Sequence, residues 1–520
     1  MPFLDREHFT PHFFSEKRQG TVTGAVVTLL GTLLAGGGVL SLPFALRRSG
    51  IVFGAILLVL TAVATDFTVF TLVSCSRRSG GSTYESVADV AFGRRAKLLC
   101  MGLVICVTYL PLMAYTILLR DLLAPTVEIA LNRTLDSQAR NVMVSALVAL
   151  VYPACTLRTL TALRHLSFLS AIAVFLLTVF IGIRAGECAA SEGVPTSAVN
   201  LWPEDGWSGA LQAIPIYICA FGCHFIVLPV HGELAKPTRG RLHRMVHWTI
   251  GLVTSFYTLV MTLGYTYGVC TGGLSDNILN NFEPDDMLMN FGRVGLAISI
   301  LVSFPLLNVP LVGTLVRAYR EITSADTHGK GPLLNLDTAT SVWPPPRSGR
   351  GGTLAAELET PLLDTPKPSA DFGSALDVDD CFLDDINTQG SLNGGLEQTG
   401  REGRQQGDSE EDIPFKTRAW LTMAILGSAV LLAFNITMVS DVWGFLGSTA
   451  NVMVAFTLPC AAYLKIRLHL PRRREKQGGP LYKKWVAGVL VALSVVAGVV
   501  CTANNVYLLS IRAAAKEEDP

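Results

Sequence analysis

The stretch LLGTLLAGGGVLSLPFAL, Leu29–Leu46, is among the most apolar in the chain, yet glycines and a proline interrupt it. Gly36, Gly37 and Gly38 lie at its centre, and Pro43 follows within two helical turns. Inside a helix, glycine costs about 1 kcal/mol and proline about 3 kcal/mol relative to alanine. The stretch therefore predicts a helix that is broken near its middle.

The chain as a whole is unusually apolar. Of its residues 50% are hydrophobic and only 16% are charged, whereas a soluble domain carries about 25% charged residues. Apolar runs of about 18 to 25 residues recur, and a helix of that length crosses the ~30 Å hydrocarbon core of a bilayer. We therefore expect an all-α polytopic membrane protein with about eleven transmembrane helices. The predicted spans lie near 21–46, 51–75, 97–119, 141–157, 166–183, 208–231, 246–269, 293–317, 418–439, 443–465 and 485–510.

Cations are distributed unevenly between the two sets of loops. The short segments that carry Arg77, Arg244 and Lys484 are rich in lysine and arginine, and the alternate segments are poorer. Short cytoplasmic loops show such an excess. We therefore expect a cytoplasmic N-terminal arm at 1–20 and, after an odd number of spans, an outer or lumenal C-terminus at 511–520. The arm has no apolar core of the kind found in a cleavable signal peptide.

The segment 323–416 differs from the rest of the chain. It is acidic and rich in Gly, Pro, Ser and Asp. Such a composition cannot bury enough apolar surface to offset chain entropy, so we expect disorder. The predicted topology puts this loop in the cytoplasm, either as a linker or as a regulatory segment with cytoplasmic partners.

Span 6 is interrupted in the same way as span 1. It reads IPIYICAFGCHFIVLPVHGEL, with Pro215, then Ala220-Phe221-Gly222 at mid-span, then Pro229. The breaks are five spans apart, so two five-span halves would insert in opposite orientations, as in transporters with inverted repeats. The predicted units are a first repeat at 21–183, a second repeat at 208–465 that 323–416 interrupts, and a separate last span at 485–510.

Broken helices have two readings. Glycine and proline also occur in membrane helices that are only closely packed, but two breaks at matching repeat positions favour a binding site. Freed backbone N–H groups at a half-helix N-terminus suit a carboxylate. Freed carbonyls need partners within the membrane and suit an ammonium group or a small cation. A zwitterionic α-amino acid has both kinds of group.

Motifs of covalent and nucleotide chemistry are not found in the sequence. It has no phosphate-binding P-loop, nucleophile elbow or metal-ligand cluster. We therefore expect no enzyme activity, no catalytic residue, no organic cofactor or metal, and no nucleic-acid partner. The expected partners are the lipid bilayer and a small amino acid.

Five sequence stretches together resemble the amino acid/auxin permease family, which includes sodium-coupled neutral amino acid transporters and vacuolar amino acid transporters. The resemblance covers the predicted spans in order and excludes the long loop. It implies a leucine-transporter-like fold with a 5+5 inverted repeat, and transport by alternating access. The stretches are GTLLAGGGVLSLPFALRRSG, TYESVADVAFG, AFGCHFIVLPVHGEL, SFPLLNVPL and WGFLGSTANVMVAFTLPCAAYLKI.

The resemblance also implies a site. A cation site would lie between spans 1 and 8, with Thr32 and either Ser299 or Ser303. Thr32 stands where sodium-coupled members often carry asparagine, which favours a proton over sodium as the coupling ion. The implied substrate-binding residues are Gly36, Gly37, Gly38 and Val39, facing Ala220, Phe221 and Gly222.

Two ionisable residues within the spans are further candidates for ion coupling, because burying charge in a membrane is costly. Asp66 lies in span 2, where its alternative role is a structural pair with a neighbour. His224 follows the break of span 6 directly and titrates near neutral pH in water. It either packs the broken helix or responds to protons.

Two features belong to the predicted outer loops. Asn132-Arg133-Thr134 is a glycosylation sequon. Of the eleven cysteines, Cys188 and Cys270 lie in or beside outer loops, where a disulfide can form, although two unrelated thiols fit the sequence equally well. The family resemblance favours a Cys188–Cys270 bridge.

The function predicted from these features is secondary active transport of amino acids, as a symporter or antiporter, with proton rather than sodium coupling. The alternative is an amino acid sensor that signals through the cytoplasmic loop. The expected location is the plasma membrane or a vacuolar or lysosomal membrane.

Overall fold

The first predicted span is broken at its glycines. Helix α1 is Val22–Ala35, a 3-10 turn covers Gly37–Ser41, and helix α2 is Leu42–Ser49. The two halves are bent by 54°. Pro43 lies in the first turn of α2, where its missing N–H removes no intrahelical hydrogen bond. The helix breakers therefore end one helix and begin the next.

The structure is a computed structural model. It describes residues 21–328 and 413–518, apart from 36, 157–163, 192, 194, 196–197, 204–205, 235–237, 437 and 470–480. The described residues outside 328–406 belong to one unit. The predicted arm 1–20 and nearly all of the predicted loop 323–416 lie outside the described residues. Helix continues through His328 and through Glu518, so both predicted polar segments begin within a helix.

The described residues form helices and no strand. The second break separates α8, Trp207–Ala220, from α9, His224–Glu233. The other helices are α3 Ile51–Ser79, α4 Tyr84–Phe92, α5 Arg94–Leu131, α6 Ser137–Cys155, α7 Arg164–Ser191, α10 Arg239–Cys270, α11 Met287–His328, α12 Phe415–Ala433, α13 Val439–Leu446, α14 Leu458–His469 and α15 Leu481–Glu518.

The all-α polytopic prediction is confirmed. Among the described residues, nine helical segments are long and apolar enough to cross a membrane, and the bent pair α1–α2 makes ten. The predicted fourth span, 141–157, is helical as α6 but is not among these segments. Its first turns carry Gln138, Arg140 and Asn141, which shorten its apolar run.

Between α13 and α14 the helix is wound more widely than an α-helix. Gly447–Asn451 and Met453–Thr457 form two π-helical segments, which are rare and frequent at functional sites. The backbone of Gly447 lies directly against that of Pro215 in α8. A side chain at Gly447 would separate the two helices, so this glycine permits a close approach near the second break.

The predicted disulfide is present. Cys188 at the end of α7 is bonded to Cys270 at the end of α10, with their Cα atoms 6.2 Å apart. Nearby, Arg184 donates two hydrogen bonds of 2.7 Å to Asp286. Burial raises the pKa of the Asp286 carboxyl, but the Arg184 guanidinium outweighs it and holds this pKa below its usual range. The pair is therefore ionised at neutral pH, and its contribution to stability is lost only as the pH falls through that lowered pKa.

Candidate functional site

A cavity of about 60 Å³ lies where the two broken helices meet. Thr32 and Gly38 line it from the first break, and Ala220 and Gly222 from the second. Gly38 lies so close to α8 that a Cβ atom on it would be 3.7 Å from the Ala220 Cα. The two sequence breaks are therefore parts of one site.

The predicted substrate residues divide into two groups. Gly38, Ala220 and Gly222 line the cavity, whereas Val39 and Phe221 are fully buried and do not. The Phe221 ring packs edge-on against Tyr257, with centroids 5.3 Å apart. Gly37 lies in the 3-10 turn, and Gly36 lies outside the described residues.

Tyr257 of α10 joins the two breaks, although the sequence did not single it out. Its hydroxyl lies 3.0 Å from the Leu33 carbonyl and 2.8 Å from the Ala220 carbonyl. These carbonyls lie in the last turns of α1 and α8, whose last four C=O groups have no intrahelical partner. One O–H can donate to only one carbonyl at a time, so the phenol is shared between the half-helices. The sequence signal was a phenol within an apolar span.

Asn451 is the second residue that sequence analysis missed. It lies in the first π-helical segment, lines the cavity, and donates from Nδ2 to the Ile218 carbonyl at 2.8 Å. A Cβ atom on Gly222 would be 2.9 Å from its Oδ1 atom. The π-helical winding therefore presents a buried amide to the break in span 6. An amide within a predicted span was the available signal.

Aromatic side chains form another side of the cavity. Tyr115 and Trp443 both line it, and their ring centroids are 6.2 Å apart. Phe304 lies behind Tyr115, with centroids 6.1 Å apart. A volume of 60 Å³ holds about four to six waters, so a larger ligand requires side chains such as these to move.

Of the predicted ion-coupling residues in spans 1 and 8, only Thr32 lines the cavity. Thr32 lines the cavity and donates its hydroxyl to the Thr28 carbonyl at 2.9 Å. Ser303 donates to the Ser299 carbonyl at 2.9 Å, and the Ser299 hydroxyl has no hydrogen-bond partner among the described residues. Both serines are buried but lie outside the cavity lining.

The two ionisable candidates have different surroundings. His224 is fully buried; its Nε2 lies 2.9 Å from the Thr68 hydroxyl, and its Nδ1 has no partner within the described part of the chain. Asp66 is instead partly exposed and lies 2.7 Å from Nδ1 of His247 on α10. Only His224 adjoins the break of span 6.

Two discontinuous helices around a central cavity define the class of transporters that share the leucine-transporter fold. Among solved structures, the fold is similar to that of MhsT in complex with L-phenylalanine, with a TM-score of 0.52, 10% sequence identity, and coverage of 94% of this chain and 100% of that one. The chain belongs to the transmembrane amino acid transporter protein family, which it matches over residues 18–504. The predicted family and fold are therefore confirmed.

Curated relatives share about a quarter of their aligned residues with this chain. A putative amino acid transporter AAT1 of Toxoplasma gondii is 26% identical over 60% of this chain and 42% of its own length. A putative sodium-coupled neutral amino acid transporter 11 of Mus musculus is 27% identical over 55% of this chain and 62% of its own length. Vacuolar amino acid transporter 7 of Saccharomyces cerevisiae is 24% identical over 82% of this chain and 85% of its own length. The chain thus spans less than two thirds of the first two relatives.

Proposed function

We propose that this protein is a secondary active transporter of amino acids that works by alternating access. The cavity between the two breaks carries the proposal, because it brings glycines and freed backbone from both predicted repeats together. Gly38 and Gly222 let a ligand approach the main chain without obstruction by a side chain. Family membership and the names of the curated relatives support an amino acid as the substrate.

The ends of the two half-helices suit the two charges of an amino acid. The first turns of the half-helices after each break offer N–H groups to the carboxylate, and the carbonyls of Leu33 and Ala220 suit the ammonium group. These carbonyls are held by the single hydroxyl of Tyr257. An ammonium group that takes over one carbonyl would leave Tyr257 free to donate fully to the other.

The proposed coupling ion is the proton, and His224 is the proposed site of its binding. The imidazole is buried next to the break of span 6, and only one of its nitrogens has a partner among the described residues. Histidine is the side chain whose unperturbed pKa is nearest to neutral pH. Asp66 is the weaker candidate, since its carboxylate is paired with His247 away from the cavity.

Uptake of radiolabelled amino acids into proteoliposomes tests the proposal, with sodium and pH gradients imposed separately. We expect uptake that follows the pH gradient and does not require sodium. Binding of an amino acid without flux under either gradient would overturn transport and leave the sensor as the explanation. Uptake that needs sodium and ignores pH would overturn proton coupling alone.

Substitution of the two ionisable residues tests the site of coupling. His224→Gln keeps a hydrogen-bonding group beside Thr68, so we expect amino acid binding to persist while the response of uptake to the pH gradient is lost. Asp66→Asn is the matched control and should keep that response. The opposite outcome would assign coupling to Asp66.

The proposed location is the plasma membrane or a vacuolar or lysosomal membrane, with the N-terminus in the cytoplasm. Exposed Asn132, at the end of α5, is the proposed glycosylation site on the opposite side. A mobility shift on glycosidase treatment that Asn132→Gln removes would support this orientation. Modification of a cysteine introduced near Lys484 by an impermeant reagent outside intact cells would contradict it.

A further inference from the structure

Three positively charged or chargeable side chains surround the ring of Phe70 on α3. The His243 ring stacks on it with centroids 4.4 Å apart, and the Arg239 guanidinium carbon lies 5.5 Å from its centroid. The Lys483 ammonium of α15 lies 6.0 Å from the same centroid. We name these four residues the Phe70 corner. It joins three helices that are far apart in the sequence, and the transport cavity does not include it.

The Phe70 corner has an excess of positive charge. Neither Arg239 nor Lys483 forms an ion pair with another described residue. The carboxylate of Asp66 lies nearby, but it is engaged by His247, whose Nε2 lies 3.3 Å from His243 Nδ1. Arg239 also begins α10 and Lys483 lies in the first turn of α15, and helix N-termini add partial positive charge. The corner therefore suits an anion.

Exposed aromatic side chains locate the Phe70 corner relative to the membrane. Trp248 follows His247 on α10, and Tyr482 and Trp485 flank Lys483 on α15; their exposed fractions are 61%, 60% and 74%. Tryptophan and tyrosine concentrate at the headgroup level of a bilayer. The corner thus lies at the height of lipid phosphates rather than in the hydrocarbon core.

An apolar surface continues from the Phe70 corner along α15. Val489, Leu493, Val496 and Val500 recur at helical spacing and are exposed, so they form one stripe that faces lipid. A free phosphate ion would make no use of this stripe. A phospholipid would contact both the Phe70 corner and the apolar stripe, with its phosphate at the corner and its acyl chains along the stripe.

We propose that the Phe70 corner binds the headgroup of an anionic phospholipid. The phosphate accepts charge-assisted hydrogen bonds from the Arg239 guanidinium and the Lys483 ammonium group. His243 is held against Phe70 and supplies a further donor in its protonated form, in which both ring nitrogens carry a proton. A lipid bound there contacts α3, α10 and α15 together.

Native mass spectrometry of the full chain tests the proposal, with phosphatidic acid, phosphatidylcholine and inorganic phosphate as separate probes. We expect bound phosphatidic acid, little phosphatidylcholine, and no displacement of the lipid by phosphate at equal concentration. A cation at a membrane surface contributes about fivefold in affinity. Arg239→Gln with Lys483→Gln should therefore weaken phosphatidic acid binding about 25-fold.

The matched control is Arg95→Gln with Arg320→Gln. It removes the same charge from exposed positions of α5 and α11 that do not contact Phe70, and binding should change less than twofold. Arg239→Lys with Lys483→Arg keeps the charge and should bind as the wild type does. Equal losses in the corner and control variants would overturn the site. Phosphate that binds as tightly as the lipid would overturn a lipid as its ligand.

Discussion

The two glycines that line the cavity differ in the space around them. A Cβ atom on Gly38 would lie 3.7 Å from Ala220, which is ordinary contact. A Cβ atom on Gly222 would meet the Asn451 amide at 2.9 Å and the Cys219 carbonyl at 3.1 Å. Such an atom would require a shift of the Asn451 amide, which donates a hydrogen bond of 2.8 Å to the Ile218 carbonyl. Both positions are glycine in the sequence, and only the atoms around them in the fold distinguish one from the other.

The pair predicts effects of different size for the same substitution. Gly222→Ala should lower uptake about tenfold or more, because the displaced Asn451 amide would lose a buried hydrogen bond worth about 1–3 kcal/mol. Gly38→Ala should lower uptake less, by about threefold, because its methyl group narrows the approach of the ligand to the main chain but meets Ala220 only at ordinary contact distance. Initial rates in proteoliposomes with equal protein content measure both. Equal rates for the two variants would contradict the assignment of Asn451.

Cys219 offers a chemical test of the same cavity. It lines the cavity and is partly buried, so a small thiol reagent that enters should occupy the space of the substrate. We expect a methanethiosulfonate reagent to block uptake, and excess amino acid to protect against the block. Cys219→Ala should resist the reagent. A block that persists in Cys219→Ala would show that another cysteine is responsible.

At the level of elements, the backbone carbonyls freed at the breaks accept hydrogen bonds from side chains on other helices. The single hydroxyl of Tyr257 on α10 is shared between the Leu33 carbonyl of α1 and the Ala220 carbonyl of α8. Asn451 donates to the Ile218 carbonyl of α8. The π-helical segment brings Gly447 against Pro215 and Asn451 against Gly222. Hydrogen-bonding groups of a neighbouring helix, either a regular α-helix or an underwound π-helical segment, therefore satisfy the backbone of each broken helix.

Tyr257→Phe tests this coupling of elements. The variant keeps the ring that packs on Phe221 and removes only the hydroxyl, so it leaves a buried carbonyl unsatisfied at a cost of about 1–3 kcal/mol. We expect a lower unfolding temperature and a reduced maximal uptake rate. Tyr507→Phe, at an exposed position of α15, is the control and should change neither. An unchanged unfolding temperature in Tyr257→Phe would show that the hydroxyl does not bind the half-helices together.

At the level of the whole molecule, the Cys188–Cys270 bridge closes a stretch of 82 residues. That stretch includes both halves of the second break. In the chain-entropy account, a bridge over this separation contributes up to about 4.5 kcal/mol to stability. Neither Cys188 nor Cys270 lines the cavity, so we assign the bridge the role of restraining the ends of α7 and α10.

Replacing both cysteines separates stability from function. Cys188→Ser with Cys270→Ser should lower the unfolding temperature while uptake per folded molecule stays close to that of the wild type. A reducing agent should lower the unfolding temperature of the wild type and leave that of the variant unchanged. A variant as stable as the wild type would show that the bridge contributes nothing in the membrane.

Much of this architecture could be read from composition and periodicity. Apolar runs predicted the spans, because hydrophobic length is a property of each segment alone. The glycine and proline clusters predicted both breaks, because helix propensity is also local. The exception is α6, which the sequence predicted as a span. Polar residues in its first turns make its apolar run too short to be counted among the membrane-crossing segments.

The sequence by itself determined that helices span the membrane, that two of them break, and which family the chain belongs to. Only the tertiary structure decided which residues around the breaks meet. It brought Gly38, Ala220, Gly222 and Asn451 to one cavity and left Val39 and Phe221 outside its lining. It also placed the Tyr257 hydroxyl, which does not line the cavity, between the carbonyls of Leu33 and Ala220. The physical reason is that breaking a helix is a local event, whereas satisfying a freed carbonyl depends on the facing of another helix, which packing sets.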